Sequence, residues 1–347
     1  MCFLVPLASC KARQNTSSAF NTQSTLQEAA ARSLGNPLAL VFLNQNEGWI
    51  LFKKSLWKIN QGGRDWELKI QLPASQDPLK ESNFHSFCVQ SSHEVWLNLS
   101  NKIIVSYDSG TSWSTILELN QLEHINDLAF RDENHGWAVV TRFVNFTDRP
   151  FGLQTTDAGK TWQQSDYFTS RDPQTALGLE LYTVESLNNG AVWISGTGAI
   201  WSSKDGGRTW RLANVVINGE SNTRLSTLQF LNENEGYGHC GPAKGAAPHY
   251  LVRTADGGRS WQMVNTPVAS TTGLSDFHFF NFRHGFGIFQ GSLFETGDGG
   301  NHWKELKMDY IAGDIIFFLD EDYGWMTGEN DTLFSTRNGG KTWQRLH

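Results

Sequence analysis

The sequence predicts an all-β chain, a seven-bladed β-propeller of four-stranded antiparallel blades over residues 37–347. Three observations predict it. A short turn motif, which at residues 202–210 reads Ser-Ser-Lys-Asp-Gly-Gly-Arg-Thr-Trp, recurs seven times down the chain. Its closing tryptophans are Trp66, Trp113, Trp162, Trp210, Trp261, Trp303 and Trp343. They follow one another at 47, 49, 48, 51, 42 and 40 residues, the length of one propeller blade. A second repeated element precedes the turn: an apolar run ending in Phe, a polar turn, then Gly and an aromatic residue. Phe42, Phe130, Phe230, Phe279 and Phe318 each stand six residues before that Gly, and the stretches at 87–96 and 184–193 are variants.

The turn motif explains its own composition. The residue three places before the Trp is Gly in every copy, and five places before it stand Asp108, Asp157, Asp205, Asp256 and Asp298, then Asn338 in the last copy and Gln61 in the first. An Asp or Asn side chain accepts hydrogen bonds from backbone N–H groups two or three residues on and closes a tight turn. Gly207 and its equivalents supply the positive φ such a turn needs. A Ser or Thr two places before the acidic residue, absent only from the first copy, adds a hydroxyl. The acidic column is therefore read as structural, a row of fasteners joining strand C to strand D. Arg208 and Arg259 inside the turns are read as exposed, and His93, His135 and His284 as A–B turn residues.

Ahead of the blades lies a different kind of sequence. Residues 1–9 read as the remnant of a signal peptide, and Leu7-Ala8-Ser9-Cys10 resembles a lipobox, which makes Cys10 the lipid attachment point. Residues 10–36, rich in Gln, Asn, Ser, Thr and Ala, read as a flexible tether with a short helix at 25–34. The expected location is the cell envelope, extracytoplasmic, on the periplasmic or lumenal side. Membrane contact is expected through the lipid anchor only, since no segment approaches the ~18 apolar residues of a span.

Each blade then reads as strands A, B, C and D. Near-continuous apolar runs at 38–43 and 315–319 suit sheets covered on both faces by neighbouring blades. The first blade begins near Pro37 and the last runs to the end of the chain, so no strand crosses over to close the ring, and closure is expected to rest on packing between blades. Of the four cysteines, Cys88 reads as part of an inner strand and Cys240 as a loop residue. They belong to blades two and five, too far apart around a ring for a disulfide.

These residues carry a resemblance. The pattern Ser/Thr-x-Asp-x-Gly-x-Thr-Trp resembles the Asp-box, or bacterial neuraminidase repeat. Seven copies joined to the Phe…Gly-Trp element resemble, over residues 37–347, the propeller of the photosystem II stability and assembly factor family. That resemblance implies a non-catalytic, membrane-anchored scaffold that binds another protein, with a subunit of a membrane complex as partner, and the lipobox fits it. Family members are described as using an Arg-rich patch, whereas this chain has a formal net charge of −7 and no dense Arg cluster. The same balance argues against nucleic acid, which favours a basic stripe.

Spacing locates the expected binding face. From the B-strand aromatic to the acidic column the chain runs 12 or 13 residues in five blades, but 20 in blade three and 19 in blade five. The added residues are expected to be B–C loops: 141–152, with Arg142, Asp148 and Arg149, and 239–250, with His239, Lys244 and His249. Long D–A connections on the same face add Arg171 and Arg224, and long loops on one rim are where scaffolds of this kind place function. Asp127, Asp276 and Asp314, near the starts of A strands, are expected to hydrogen-bond neighbouring backbone.

The competing reading is a glycoside hydrolase, since sialidases and xyloglucanase-type enzymes also carry Asp-boxes. The Arg-Ile-Pro segment of sialidases is absent, and the xyloglucanase type pairs two seven-bladed propellers. No catalytic residue is assigned. There is no His-Glu-x-x-His, paired Cys-x-x-Cys or EF-hand loop, so neither a metal nor a cofactor is expected, and the protein is expected to be a monomer.

Overall fold

Apolar runs with no polar face become the inner strands of the predicted ring. In this computed structural model, which describes residues 13–14, 34, 37–72, 84–144, 147–165, 180–217, 219, 223–242, 250–267, 273–309, 311–329 and 332–346, seven four-stranded antiparallel sheets follow one another in strand order A-B-C-D. Blade one is Pro37–Phe42, Gly48–Phe52, Ser55–Asn60 and Asp65–Gln71, and blade seven is Ala312–Phe318, Gly324–Gly328, Leu333–Thr336 and Gln344–Arg345. Outside the blades, Arg13–Gln14 pairs with Phe84–His85. Cys10 and the helix expected at 25–34 lie outside the described residues, apart from Leu34.

Every Phe of the second repeated element has one purpose at the blade interface. Phe230 lies directly over Gly236, where a Cβ would come within 2.7 Å of its ring, so only glycine fits beneath it. The ring's other face receives the B-strand aromatic of the preceding blade: Trp193 stacks on Phe230 at 3.6 Å and Tyr237 on Phe279 at 3.5 Å between centroids. The blade's own box tryptophan meets the ring edge-on, as Trp261 meets Phe230 at 6.1 Å. Three aromatic side chains from two blades thus form each such joint, and burying them supplies the main adhesion between sheets.

The box turn carries more bonds than the sequence implied, and the acidic side chain reaches further. Asp205 Oδ1 accepts the N–H of Thr209, four residues on, at 2.8 Å, and Asp205 Oδ2 accepts the Thr209 hydroxyl at 2.6 Å. The reach extends to four residues, beyond the three at which the Arg259 N–H meets Asp256 in blade five (2.9 Å), because two successive residues, Gly206 and Gly207, take positive φ (74° and 84°) and curl the chain back. The Ser203 hydroxyl donates to Asp205 Oδ1 and accepts from the N–H of Gly207, each at 2.8 Å. The same wiring recurs at Asp108, Asp157, Asp256, Asp298 and Asn338.

The expected loops of blades three and five are in part strand. Blade three runs Gly136–Val144 directly into Thr147–Thr155, paired as far as Val144↔Thr147. The added residues lengthen a hairpin, because β-branched and aromatic side chains at Thr141, Phe143 and Val144 suit a pleated sheet. In blade five Cys240 is buried within strand B, Gly236–Pro242, and is no loop residue. Burial pushes its thiol up to about 11, and neither it nor Cys88 forms a disulfide.

Candidate functional site

Strand A of blade three is bulged between Ile125 and Asp127, and the bulge turns Asp127 toward the next blade. Its Oδ2 accepts the Thr183 hydroxyl (2.8 Å) and the Val184 N–H (3.2 Å) of blade four. Asp276, past the equivalent bulge, accepts the Ile316 N–H of blade seven at 3.1 Å. Both are buried staples between blades, whereas Asp314 is exposed. Burial pushes the Asp127 carboxyl up to about 7 against its hydrogen bonds.

The rim expected to bind a partner is built on blades three to five. Arg142 sits opposite Arg149 in the lengthened hairpin. Its guanidinium forms an ion pair with the buried Glu123 carboxylate and lies 4.8 Å from the centre of the Phe151 ring. Glu123 also accepts from the backbone and side-chain amides of Asn120, each at 3.2 Å. Arg142 is therefore tied down, while Arg149 is exposed. At the neighbouring position the Phe143 N–H donates to the Leu122 carbonyl at 2.8 Å, and both residues expose their apolar side chains, 44% and 60% respectively.

Blade four contributes Tyr182, whose hydroxyl donates to Glu180 (2.8 Å) and lies 3.0 Å from the Thr197 hydroxyl. Burial pushes this phenol up to about 12. The guanidinium of Arg224, from blade five, lies over the Tyr182 ring at 5.0 Å. His239 faces Ser226 at 3.5 Å within the blade five sheet. Asp148 takes its place in strand C of blade three, its side chain outside what is described. Arg171, Lys244 and His249 lie outside the described residues. The structure thus brings together Arg142 with Arg149, and Arg224 with Tyr182.

The opposite face carries the fasteners. Hydrogen bonds from the residue four places on hold Asp108, Asp205 and Asp298 at about 2, led in each case by the side chain of Ser112, Thr209 or His302. His135 lies in its A–B turn, 2.8 Å from Asp132. What sequence reasoning missed is a cavity of about 470 Å³ in the central channel toward this face, walled by the ends of A strands from six blades. No local signal marks it, since its walls are far apart in the chain. Among the described residues no group of three or more His, Cys, Asp or Glu side chains is placed to hold a metal, and no helix is long and apolar enough to cross a membrane.

Residues 253–347 match the family model described as photosynthesis system II assembly factor YCF48. Over 47 residues the chain is 40% identical to the photosystem II assembly lipoprotein Ycf48 of Synechocystis sp. (strain ATCC 27184 / PCC 6803 / Kazusa), a stretch spanning 13% of this chain and only 14% of that relative. The solved structure of YCF48 from Cyanidioschyzon merolae shares the fold with a TM-score of 0.60 at 16% identity, covering 95% of this chain and 99% of that one. That of YCF48 bound to D1 peptide does so with a TM-score of 0.55 at 21% identity, covering 74% and 79%. An ancestral GH74 enzyme is similar in fold as well, with a TM-score of 0.60 at 13% identity over 100% of this chain and 48% of that one. At these identities the solved structures speak for the fold, and the matched segments add the sequence likeness. The chain is a seven-bladed Asp-box propeller similar to the photosystem II assembly factors.

Proposed function

We propose that this protein is a non-catalytic scaffold that holds a segment of another polypeptide on the B–C and D–A rim of blades three to five, as an assembly factor for a membrane complex. One observation carries the reading: Leu122 and Phe143, two exposed apolar side chains, stand at the lengthened hairpin that also carries the exposed Arg149 at the next register position. Exposed aromatic and apolar side chains and an arginine on one projecting hairpin are the composition of a protein-binding hot spot. The sequence likeness to photosystem II assembly lipoproteins supports it, and the related YCF48 with a bound D1 peptide supports a polypeptide ligand of that kind. Lipid attachment at Cys10 on an extracytoplasmic membrane face, with residues 10–36 as tether and a monomeric propeller, completes the proposal.

The glycosidase reading has fold likeness behind it. Of the rim carboxylates, Glu123 is engaged by Arg142 and Glu180 by Tyr182, whereas hydrolysis needs an acid and a base facing a sugar. The test is titration of the full chain with the D1-type peptide and, separately, assay on sialoside and β-glucan chromogens. Saturable peptide binding supports the scaffold. No peptide binding together with hydrolysis, lost when one rim carboxylate is replaced, overturns it.

A further inference from the structure

The central cavity has a composition that the rim scaffold does not use. At about 470 Å³ it falls in the range of small-molecule sites, roughly 300–1,000 Å³. Its walls include the aromatic residues Phe87, Phe277 and Phe317, with the His278 imidazole among them. Phe317 and His278 stand 6.2 Å apart between ring centroids, in an edge arrangement. Gln229 exchanges two hydrogen bonds (3.0 and 2.9 Å) with the Phe279 backbone of the next blade and so ties two of the wall strands together.

Among the described residues, the charged side chains at this cavity are all acidic. Glu185, which is 5% exposed, reaches the wall from blade four, and Asp320 and Glu321 border it from the A–B turn of blade seven. Among the described residues that line it there is no lysine or arginine. A buried carboxylate in a low-dielectric wall attracts a cation more strongly than one in water, and aromatic faces bind cations through their quadrupole. An anion meets three carboxylates here, and among the described residues no three or more His, Cys, Asp or Glu side chains are grouped to hold a metal ion.

We infer that the channel cavity is a binding site for a small organic cation, an ammonium group carried on an apolar body. The ammonium lies toward Glu185 and the Asp320–Glu321 border, and the body fills the space between Phe277 and Phe317. This site lies toward the fastener face, away from Arg149 and Leu122, so it operates independently of the rim.

Calorimetric titration of the full chain with benzyltrimethylammonium tests it, with benzoate as the anion of similar size. The expected result is 1:1 binding of the cation and none of the anion at concentrations up to about 10 mM, a range that reports even weak affinities. Glu185→Gln should weaken the cation by roughly tenfold or more. Glu321→Gln, at an exposed turn that leaves the fold intact, should weaken it measurably and supplies the readout if the buried substitution prevents folding. Arg149→Glu should leave cation binding unchanged. Absence of cation binding, equal binding of benzoate, or affinity unmoved by Glu321→Gln in a folded protein that also tolerates Glu185→Gln would each overturn the assignment.

Discussion

Phe42 of the first blade and Trp325 of the last stack face to face, 3.6 Å between centroids and 5° from parallel. The Trp325 indole N–H donates to the Gly62 carbonyl of the first box turn at 3.0 Å, and Trp193 makes the same bond to Gly257 at 3.0 Å in the middle of the chain. The first and last blades are thus joined by the contact that joins blades four and five, and among the described residues no strand crosses over. Trp325→Ala should then cost as much as Trp193→Ala, about 3–5 kcal/mol in each case for a buried indole. Urea unfolding followed by tryptophan fluorescence measures both. A seam that is weaker than the other joints would appear as a much smaller loss for Trp325→Ala, or as a separate early transition.

Within the blade five box turn the buried hydroxyl matters more than the exposed one. Thr254 is 2% exposed, donates to Asp256, and accepts the Gly258 N–H at 2.9 Å. Thr254→Val keeps the shape and strands that N–H, which costs about 1–3 kcal/mol. Ser260→Ala, at an exposed residue whose hydroxyl meets the same carboxylate, should cost less, because water replaces the lost bond. Asp205→Ala should likewise lower the melting temperature without changing rim binding. The reverse order of Thr254→Val and Ser260→Ala in denaturant midpoints would refute this division.

The fold was legible because its signals are local and repeated. Gly207, Asp205 and Trp210 state a turn, and seven repeats state a ring. The residue before the Trp, Thr209 in this copy, was harder to interpret: its bonds to Asp205 depend on two successive left-handed residues that a list of turn preferences does not contain. The rim was legible only as added length. Seven or eight extra residues read equally as loop or as longer strand until pairing such as Arg142↔Arg149 is known. Neither the Arg224–Tyr182 stack nor the channel cavity could be read at all, since each joins residues of different blades.

Acid and base should act on different carboxylates. Asp108, Asp205 and Asp298 drop from 3.8 to about 2 on folding, so their contribution is fully present above about pH 4 and lost as pH falls toward 2. Asp127 moves the other way, from 3.8 to about 7. The folded protein keeps its proton where the unfolded chain has lost it, so this contribution is complete below about pH 4 and disappears as pH rises through 7. Melting temperatures across pH 4.5–8 should fall in the native protein and be flatter in Asp127→Asn. An amide nitrogen cannot accept the Val184 N–H, so the variant is also less stable throughout, and the slope is the readout. An unchanged slope would place the proton elsewhere.

Binding on the rim should separate cleanly from stability. Phe143 and Leu122 are exposed and Arg149 projects from a hairpin edge, so replacing them removes little from the core and should change the melting temperature by no more than about 2 °C. Phe143→Ala and Arg149→Glu should each weaken a bound polypeptide by roughly tenfold or more, because truncating a hot-spot anchor costs more than 1 kcal/mol of binding. Arg142→Ala is the informative contrast. It leaves the buried Glu123 carboxylate without its ion pair, so it should lower stability and binding together, the former by about 3 kcal/mol if the pair behaves as a buried one and less to the extent that solvent reaches Arg142. Titration of the three variants, with melting curves recorded on the same samples, distinguishes an anchor from a support. Equal binding by wild type, Phe143→Ala and Arg149→Glu would move the partner off blade three.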